Sequence, residues 1–293
     1  MTTLKVNAHV IETSNEDKLF FPRAELTKGD LIDYYRRIAP VMLPHVQERP
    51  LTLHRFPDGV ESDGFYQQNA PDYFPSWIDR AALPKAEGSV AHPVCNTAAA
   101  LVYLANQAVI TFHSWLSRMD APREPDQVVV DLDPSGNDFG AVRTTAKHVR
   151  AALEARGLVA FVMTTGSSGV HIRAPLRRGP DFDTVRAVAR RLADEMAEAH
   201  PTLCTTEQRI ADRNGRVYLD TGRNAYGQTA VAPYSVRARS GAPIATPIEW
   251  SELDRPDLTP QRYTIRSIFR RLGQKDDPWA AMHEHARTLP DRC

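Results

Sequence analysis

Three aspartates are the residues of this chain best suited to chemistry. Asp131 and Asp133 stand two apart in VVVDLDPSG, at the end of an apolar stretch. In a strand that spacing sends both side chains out of one face, while Leu132 points the other way into packing. Two carboxylates held so close repel one another unless a proton or a cation lies between them. Oxygen ligands of this kind suit hard divalent ions. Pro134 and Gly136 then turn the chain away and leave the carboxylates at an open rim. Asp220 ends a second apolar alternation in RVYLDTGRN. A third carboxylate there could complete a two-ion site, which activates an attacking oxygen and neutralises a leaving phosphate. The plainer alternatives are a solvated aspartate pair that ends a strand and a lone Asp220 that does the same.

Between these elements lies TTGSSGVHIRAPL. Gly166 and Gly169 allow a tight bend and a close approach of ligand to backbone amides. Ser167 and Ser168 add hydroxyl donors. His171 opens the next strand, where it could reach a phosphate; Arg173 should share its face and Ile172 should point inward. A hairpin turn followed by an ordinary edge strand is the competing reading.

The elements that must position these groups follow from periodicity. An opening strand is expected over Leu4 to Ile11. Thr27 with Asp30 resembles a capping box for a helix from Lys28 to about Leu43, with a break or kink possible at Pro40 and Pro44 as its latest end. PLTLHRFPDGVESDGFYQQ reads as a hairpin turning at Pro57, Asp58 and Gly59. A second helix is expected over Ala98 to Phe112. FGAVRTTAKHVRAALEARGL is an amphipathic helix stopped by Gly157. VAFVMTT and GVHIRAPL read as strands, DFDTVRAVARRLADEMAEAHP as a helix, and Arg262 to Leu272 as a last one. The order implies an α/β centre of short strands, some antiparallel, under at least two helices. Pro122 and Pro125 suggest a division near residue 120. No GxGxxG follows a strand and no Walker A sequence is present, so a pure Rossmann sheet is not expected.

The 293 residues, 42% hydrophobic, suffice for one large core or two smaller packed units. Lys plus Arg and Asp plus Glu both number 36, which argues against charge-driven coating of nucleic acid and leaves room for a local basic groove. Cys95, Cys204 and Cys293 form no CxxC pair, so neither a structural zinc site nor a disulfide framework is expected. The polar amino end and the lack of a long apolar run make the cytoplasm the expected location.

Taken together, EDKLFFP, LTKGDLIDYY, HRFPDG, FYQQNAP, VVVDLDPSG, TTGSSGVHI, VYLDTGRN and TAVAPYSVRAR resemble the polymerase domain of bacterial ATP-dependent DNA ligase D, a branch of the archaeo-eukaryotic primase superfamily. The ordered set runs through most of the chain and is far more specific than any one piece. The resemblance implies an α/β (α+β) primase-like core of mixed or antiparallel sheets with an N-terminal subdomain. It implies a DNA-end and 5′-phosphate-binding portion over 1–120 and a catalytic portion over 121–293, together one compact unit. Asp131, Asp133 and Asp220 would be the catalytic metal ligands for two Mg2+ or Mn2+ ions. His113, Ser167, His171 and Arg237 would contact the nucleotide, Lys18 and Lys28 a downstream 5′-phosphate, and Phe65 a template base. The implied activity is template-dependent primer extension and gap filling from NTP or dNTP in end-joining repair. The implied setting is a bacterial cytoplasm beside the nucleoid, as a monomer, with gapped or broken DNA, Ku and a separate ligase as partners.

The residues by themselves also permit plainer roles. Lys18 and Lys28 could be surface lysines, His113 a buried histidine at a helix end, Arg237 a strand residue in a salt bridge, and Phe65 core. Three positions depart from the family, which carries lysine where this chain has Ser168 and His54, and can carry it at Gln228. Arg173 or Arg55 could compensate for such lost point charges. No KxDG adenylation motif occurs, and the polymerase-like region takes up the chain, so neither ligase nor nuclease activity is expected. A primer-independent primase and a non-catalytic end-aligning protein are the alternatives.

Overall fold

A computed structural model describes residues 2–85, 87–136 and 138–290. By contact the chain divides into two compact units of mixed α/β structure. One takes in the chain up to Trp115 together with Val231–Ala245 and Tyr263–Lys275; the other takes in Leu116–Ala230, Thr246–Arg262 and the stretch from Asp276 on.

In the first unit the helix Lys28–Val46 begins as expected. Asp30 N donates to Thr27 Oγ1 at 3.2 Å and Thr27 N donates to Asp30 Oδ2 at 2.7 Å, closing the box. Leu31, Tyr34, Tyr35, Ile38 and Met42 are all buried. The helix continues through both Pro40 and Pro44 instead of ending at the second. Each proline removes one donor, but burial of Met42 and Val46 outweighs that loss. Tyr34 Oη donates to the Tyr234 carbonyl and Tyr35 Oη to that of Ile110, each at 2.6 Å, which fixes the helix on its neighbours.

Four expectations need correction here. The opening segment is a hairpin, Thr2–Val6 against His9–Thr13, because Asn7 takes a positive φ of 53° and turns the chain. The second helix covers only Ala98–Asn106. Ala108 then reverses the chain at φ 64°, and the β-branched and aromatic run Val109–Trp115 is a strand. The last helix is only Ile268–Leu272, since the Tyr263 carbonyl accepts from Ile244 N and Thr264 bridges Pro243. Arg237 lies beside a single bridge, Val236 to Ile244, after a turn at Tyr234, and not in a strand. The expected hairpin after Pro50 does form: Leu51–Arg55 pairs antiparallel with Phe65–Gln67 on one side and with Val109–Trp115 on the other.

The second unit is built on a six-stranded sheet in the order Cys204–Thr205, Val217–Asp220, Gln127–Asp133, Val170–Pro175, Phe161–Thr164, Thr246–Ile248. Every pair is antiparallel except the first. Helices Phe139–Ala155 and Phe182–Ala199 pack on the central strands. Asp138 and Asp181 cap their starts, and Gly157 follows the first of them at φ 75°. Leu132, Val170 and Ile172 are fully buried.

The turn Thr165–Gly169 closes tightly on itself. Thr165 N donates to Gly169 O at 3.0 Å, and the Thr165 hydroxyl receives the amides of Ser167 and Gly169. A Cβ on Gly169 would sit 1.9 Å from the Leu132 carbonyl oxygen. This glycine is therefore needed for the close approach of a neighbouring strand. Gly169→Ala should push the histidine strand off the acidic strand and lower unfolding stability by about 1–3 kcal/mol or more. Urea titration of the two proteins measures it; equal midpoints would mean that the close approach is not a constraint.

Candidate active site

Register brings the expected groups together on one face of the six-stranded sheet. Asp131 stands directly across from Asp220 on one side and His171 on the other; Asp133 stands across from Tyr218. Asp131, Asp133, His171, Arg173, Tyr218 and Asp220 thus project together, since each pair along a strand is two apart. His171 Nε2 is 3.2 Å from Asp131 Oδ2. The Asp220 carboxylate receives Gly222 N at 2.7 Å and lies 3.5 Å from the Tyr218 hydroxyl.

The electrostatics follow from that crowding. Burial, then the Asp131 and Asp220 charges, raise the Asp133 carboxyl to about 6, against the pull of Arg213 and Arg223. Arg223 reaches back from the turn Gly222–Asn224, its Nε 3.9 Å from Asp220 Oδ2 and 4.0 Å from Asp131 Oδ2. The donor set fits a hard divalent cation: three carboxylates share a face, and burial together with the neighbouring carboxylate charges disfavours the ionised form of Asp133, which a cation would offset. Among the described residues no three His, Cys, Asp or Glu side chains are already closed around one point.

Three further residues contribute to this face without a local sequence signal. Arg223 lies three residues past Asp220 in RVYLDTGRN. Arg213 is buried against the Tyr218 ring, 4.4 Å from its centre. Asn224 is fully buried; its Oδ1 receives Val129 N at 2.9 Å and its Nδ2 donates to Val129 O at 2.7 Å. On the Gln127–Asp133 strand the Asp220 strand pairs with residues 131–133 alone, so the asparagine amide serves as strand partner one step earlier.

Ser167 sits in the turn beside this face, its carbonyl accepting from Gln261 at 2.9 Å. Arg173 cannot stand in for the lysine absent at Ser168, because it is 2% exposed and held by Gln127 Oε1 at 3.1 Å. Arg55 is likewise engaged in its own unit, with the Gln107 carbonyl, Gln67 and Tyr73.

The remaining expected residues lie in the first unit. Thr52 faces His113 and His54 faces Tyr66 across the strands. The His54 ring stacks on Tyr66 at 4.0 Å, and Tyr66 meets His113 edge-on at 5.7 Å. Burial, then the charge of Arg237, lowers the His54 pKa, so the group that replaces a lysine is held neutral. Phe65 and Tyr66 are 46% and 62% exposed, which excludes Phe65 from the core; Arg55 lies 5.4 Å above the Phe65 ring. Lys18 and Lys28 are joined at the start of the long helix, where Lys28 N donates to Lys18 O at 2.8 Å. Lys18 Nζ bonds Pro57 O and Asp58, while buried Lys28 Nζ bonds Ser14 O at 2.6 Å. Burial lowers the Lys28 pKa; Glu16 opposes that and Lys18 adds to it.

A family model described as LigD, primase-polymerase domain, matches residues 27–279. The multifunctional non-homologous end joining protein LigD of Mycolicibacterium smegmatis is 32% identical over 279 residues, covering 94% of this chain and 36% of that protein. The bifunctional non-homologous end joining protein LigD of Bacillus subtilis is 30% identical over 284 residues, covering 96% and 45%. The chain thus spans less than half the length of these relatives. A solved polymerase domain of Mycobacterium tuberculosis ligase D, in complex with DNA, superposes with a TM-score of 0.88 at 30% identity, over 94% of this chain and 99% of that one. Among the described residues no helix is long and apolar enough to cross a membrane.

The raised Asp133 carboxyl gives a two-sided prediction. A folded-state pKa of about 6 against an ordinary 3.8 means that the folded protein binds the extra proton in that window. Stability without divalent ions therefore falls as pH rises through it. A divalent ion needs the ionised form, so the rise in Tm it gives should grow from about pH 5 to about pH 7.5. Asp133→Asn should raise the ion-free Tm at the higher pH and lose most of the ion-induced rise. An ion-induced shift independent of pH would refute the coupling.

Proposed function

The chain belongs to the LigD primase-polymerase family, nucleotidyltransferases of the archaeo-eukaryotic primase superfamily, and we propose that it extends primers and fills gaps at broken DNA ends during end joining. The observation that carries this reading is the register that sets Asp131 between Asp220 and His171.

In this reading Asp131, Asp133 and Asp220 hold two Mg2+ or Mn2+ ions. Bound there, the ions would neutralise the triphosphate and make the primer 3′-hydroxyl a better nucleophile. Extension forms a bond from that oxygen to the α-phosphorus and breaks the bond to pyrophosphate, with no covalent enzyme intermediate. His171 Nε2 and the Ser167 hydroxyl would donate to triphosphate oxygens. Arg223, already beside the carboxylates, would turn toward the same negative charge. In the first unit His113 and Arg237 would contact the nucleotide. Base pairing would choose the nucleotide while protein groups hold backbone phosphate. Lys18 and Lys28 would hold a 5′-phosphate at a helix start, where backbone N–H groups add to the field. Phe65 would stack on a template base, worth ~1–3 kcal/mol. Ku and a separate ligase are the proposed partners, in keeping with the end-joining names of the relatives.

The test is extension on gapped DNA, crossing ribonucleotides and deoxyribonucleotides with Mg2+ and Mn2+. Asp131→Ala and Asp133→Ala should each abolish extension with the fold retained. The loss should exceed the roughly 10–100-fold typical of removing a group behind a metal ligand. Full activity in either variant would end the assignment. DNA binding without incorporation in either metal would favour an end-aligning protein, and synthesis on single-stranded template without primer would mark a primase.

The lysine pair predicts preference for gaps bearing a 5′-phosphate at fixed salt. Lys18→Ala or Lys28→Ala should remove that preference and lower the slope of log affinity against log salt by about one. Because burial lowers the Lys28 pKa, the preference should fade as pH rises toward the alkaline range, where the ammonium is lost. Equal affinity for phosphorylated and unphosphorylated gaps would count against the pair.

A further inference from the structure

The mechanism above gives no role to the arginine buried on the aspartate face. Arg173 is two residues past His171 on Val170–Pro175, and is 2% exposed. Its guanidinium is fixed from two sides: Nη1 donates to Gln127 Oε1 at 3.1 Å, and its carbon lies 5.7 Å from the centre of the buried Trp279 ring. From that position Nη2 faces His171 Nδ1 at 3.4 Å. The other ring nitrogen of His171, Nε2, faces Asp131 Oδ2 at 3.2 Å.

The chemistry of the three groups sets where the protons are. A guanidinium has donors only and keeps its charge at every accessible pH. The nitrogen it faces must therefore present a lone pair. In a neutral imidazole the single N–H then belongs to Nε2, which points at a carboxylate that can only accept when ionised. With the opposite tautomer both contacts would set like against like: N–H against N–H at Arg173, and lone pair against lone pair at Asp131. The second hydrogen bond of a working histidine commonly fixes its tautomer and tilt, and here a cation occupies that place.

We propose that Arg173 is a positioning residue: it holds the His171 ring in the Nε2–H form and at a fixed rotation, so that a donor is ready at the acidic centre before nucleotide arrives. The ring cannot turn about its Cβ–Cγ bond without breaking the Arg173 contact, and Arg173 cannot follow without leaving Gln127 and Trp279. The functional value of this rests on the reading of His171 as a phosphate donor. The geometry of the ring does not.

The experiment uses the whole chain labelled with 15N in its histidine rings, free of divalent ions and near neutral pH, with the His171 signals identified by their loss in His171→Gln. In the wild type Nε2 should carry the proton and Nδ1 should resonate as an acceptor that receives a hydrogen bond. Arg173→Met should move Nδ1 toward an acceptor that receives none, while Arg173→Gln, which keeps an N–H donor without the charge, should retain much of the wild-type position. In extension assays Arg173→Met should raise KM for the nucleotide by about two- to tenfold, the worth of one hydrogen bond, with kcat changed less. A wild-type proton on Nδ1 overturns the proposal outright, even if the methionine variant does not fold. So does an Arg173→Met spectrum with Nδ1 unmoved. If the ring pattern holds and His171→Gln leaves nucleotide binding unchanged, the positioning role stands and the phosphate-donor reading is what fails.

Discussion

Carboxylates on adjacent antiparallel strands have little freedom to avoid one another. Asp131 and Asp220 are direct partners across the pair, and Asp133 projects from the same face two residues on. Like charges so placed work against the sheet, which must supply the compensating stability elsewhere. It does so on the opposite side of the same strands, where Leu132, Val130 and Ile172 are buried. A slip of one residue would exchange the two sets and expose the apolar one to solvent, so burial of these residues holds the charges where repulsion is greatest. Asn224 and Gly169 sharpen that register. The first binds both polar groups of Val129, and the second permits contact with the Leu132 backbone that any larger residue would block.

The positive groups near the aspartates do not cancel this repulsion. Arg223 approaches two carboxylates only to 3.9 and 4.0 Å and is 41% exposed, so its contribution is of the order of a surface pair, ~0–1 kcal/mol. Its exposure also means that it can leave at little cost. His171 is a single neutral donor when its Nδ1 faces Arg173. The result is a set of three close carboxylates that can take up a cation without first breaking a strong bond. The raised Asp133 carboxyl has the same origin, with burial as the larger cause.

Local pattern made this face legible, and its supports were not. The DxD spacing, the apolar alternation before Asp220 and the pairing of His171 with Arg173 on one face each depend on a period of two, which sequence displays directly. The capping box at Thr27 and the stop at Gly157 are equally local. Asn224 acts on Val129, 95 residues away, through its side chain, and no local pattern announces such a contact. The run from Ala98 to Phe112 failed for another reason. Its apolar residues fit both periods, and the switch at Ala108 turns on a positive φ that alanine seldom adopts. That error put His113 at a helix end, when its strand position is what sets it beside Tyr66. The clustering of His54, Tyr66, His113 and Arg237 has no local signal, since it joins separate segments of the chain.

A total of 36 basic and 36 acidic residues conceals local groupings of like charge, carboxylates in one unit and ammonium groups in the other. In the second unit three carboxylates gather on a sheet face, Asp131 buried and Asp133 and Asp220 partly so. In the first, two ammonium groups meet at a helix start, one exposed and paired with Asp58, the other buried against Ser14 O. Salt should affect these fields unequally. Lys18 and Asp58 lie in solvent, where screening reaches within about 10 Å at ordinary ionic strength, while Lys28 and Asp131 are shielded from it. In the proposed role, a phosphate that displaced Asp58 from Lys18 would exchange one exposed anion for another at small net cost, and would gain mainly from Lys28, whose charge burial opposes in the free protein. The buried lysine is thus the member of the pair whose charged form an anion would stabilise most, just as Asp133 is the carboxylate whose ionised form a cation would stabilise most. In both units the responsive group is the one whose charge the fold disfavours.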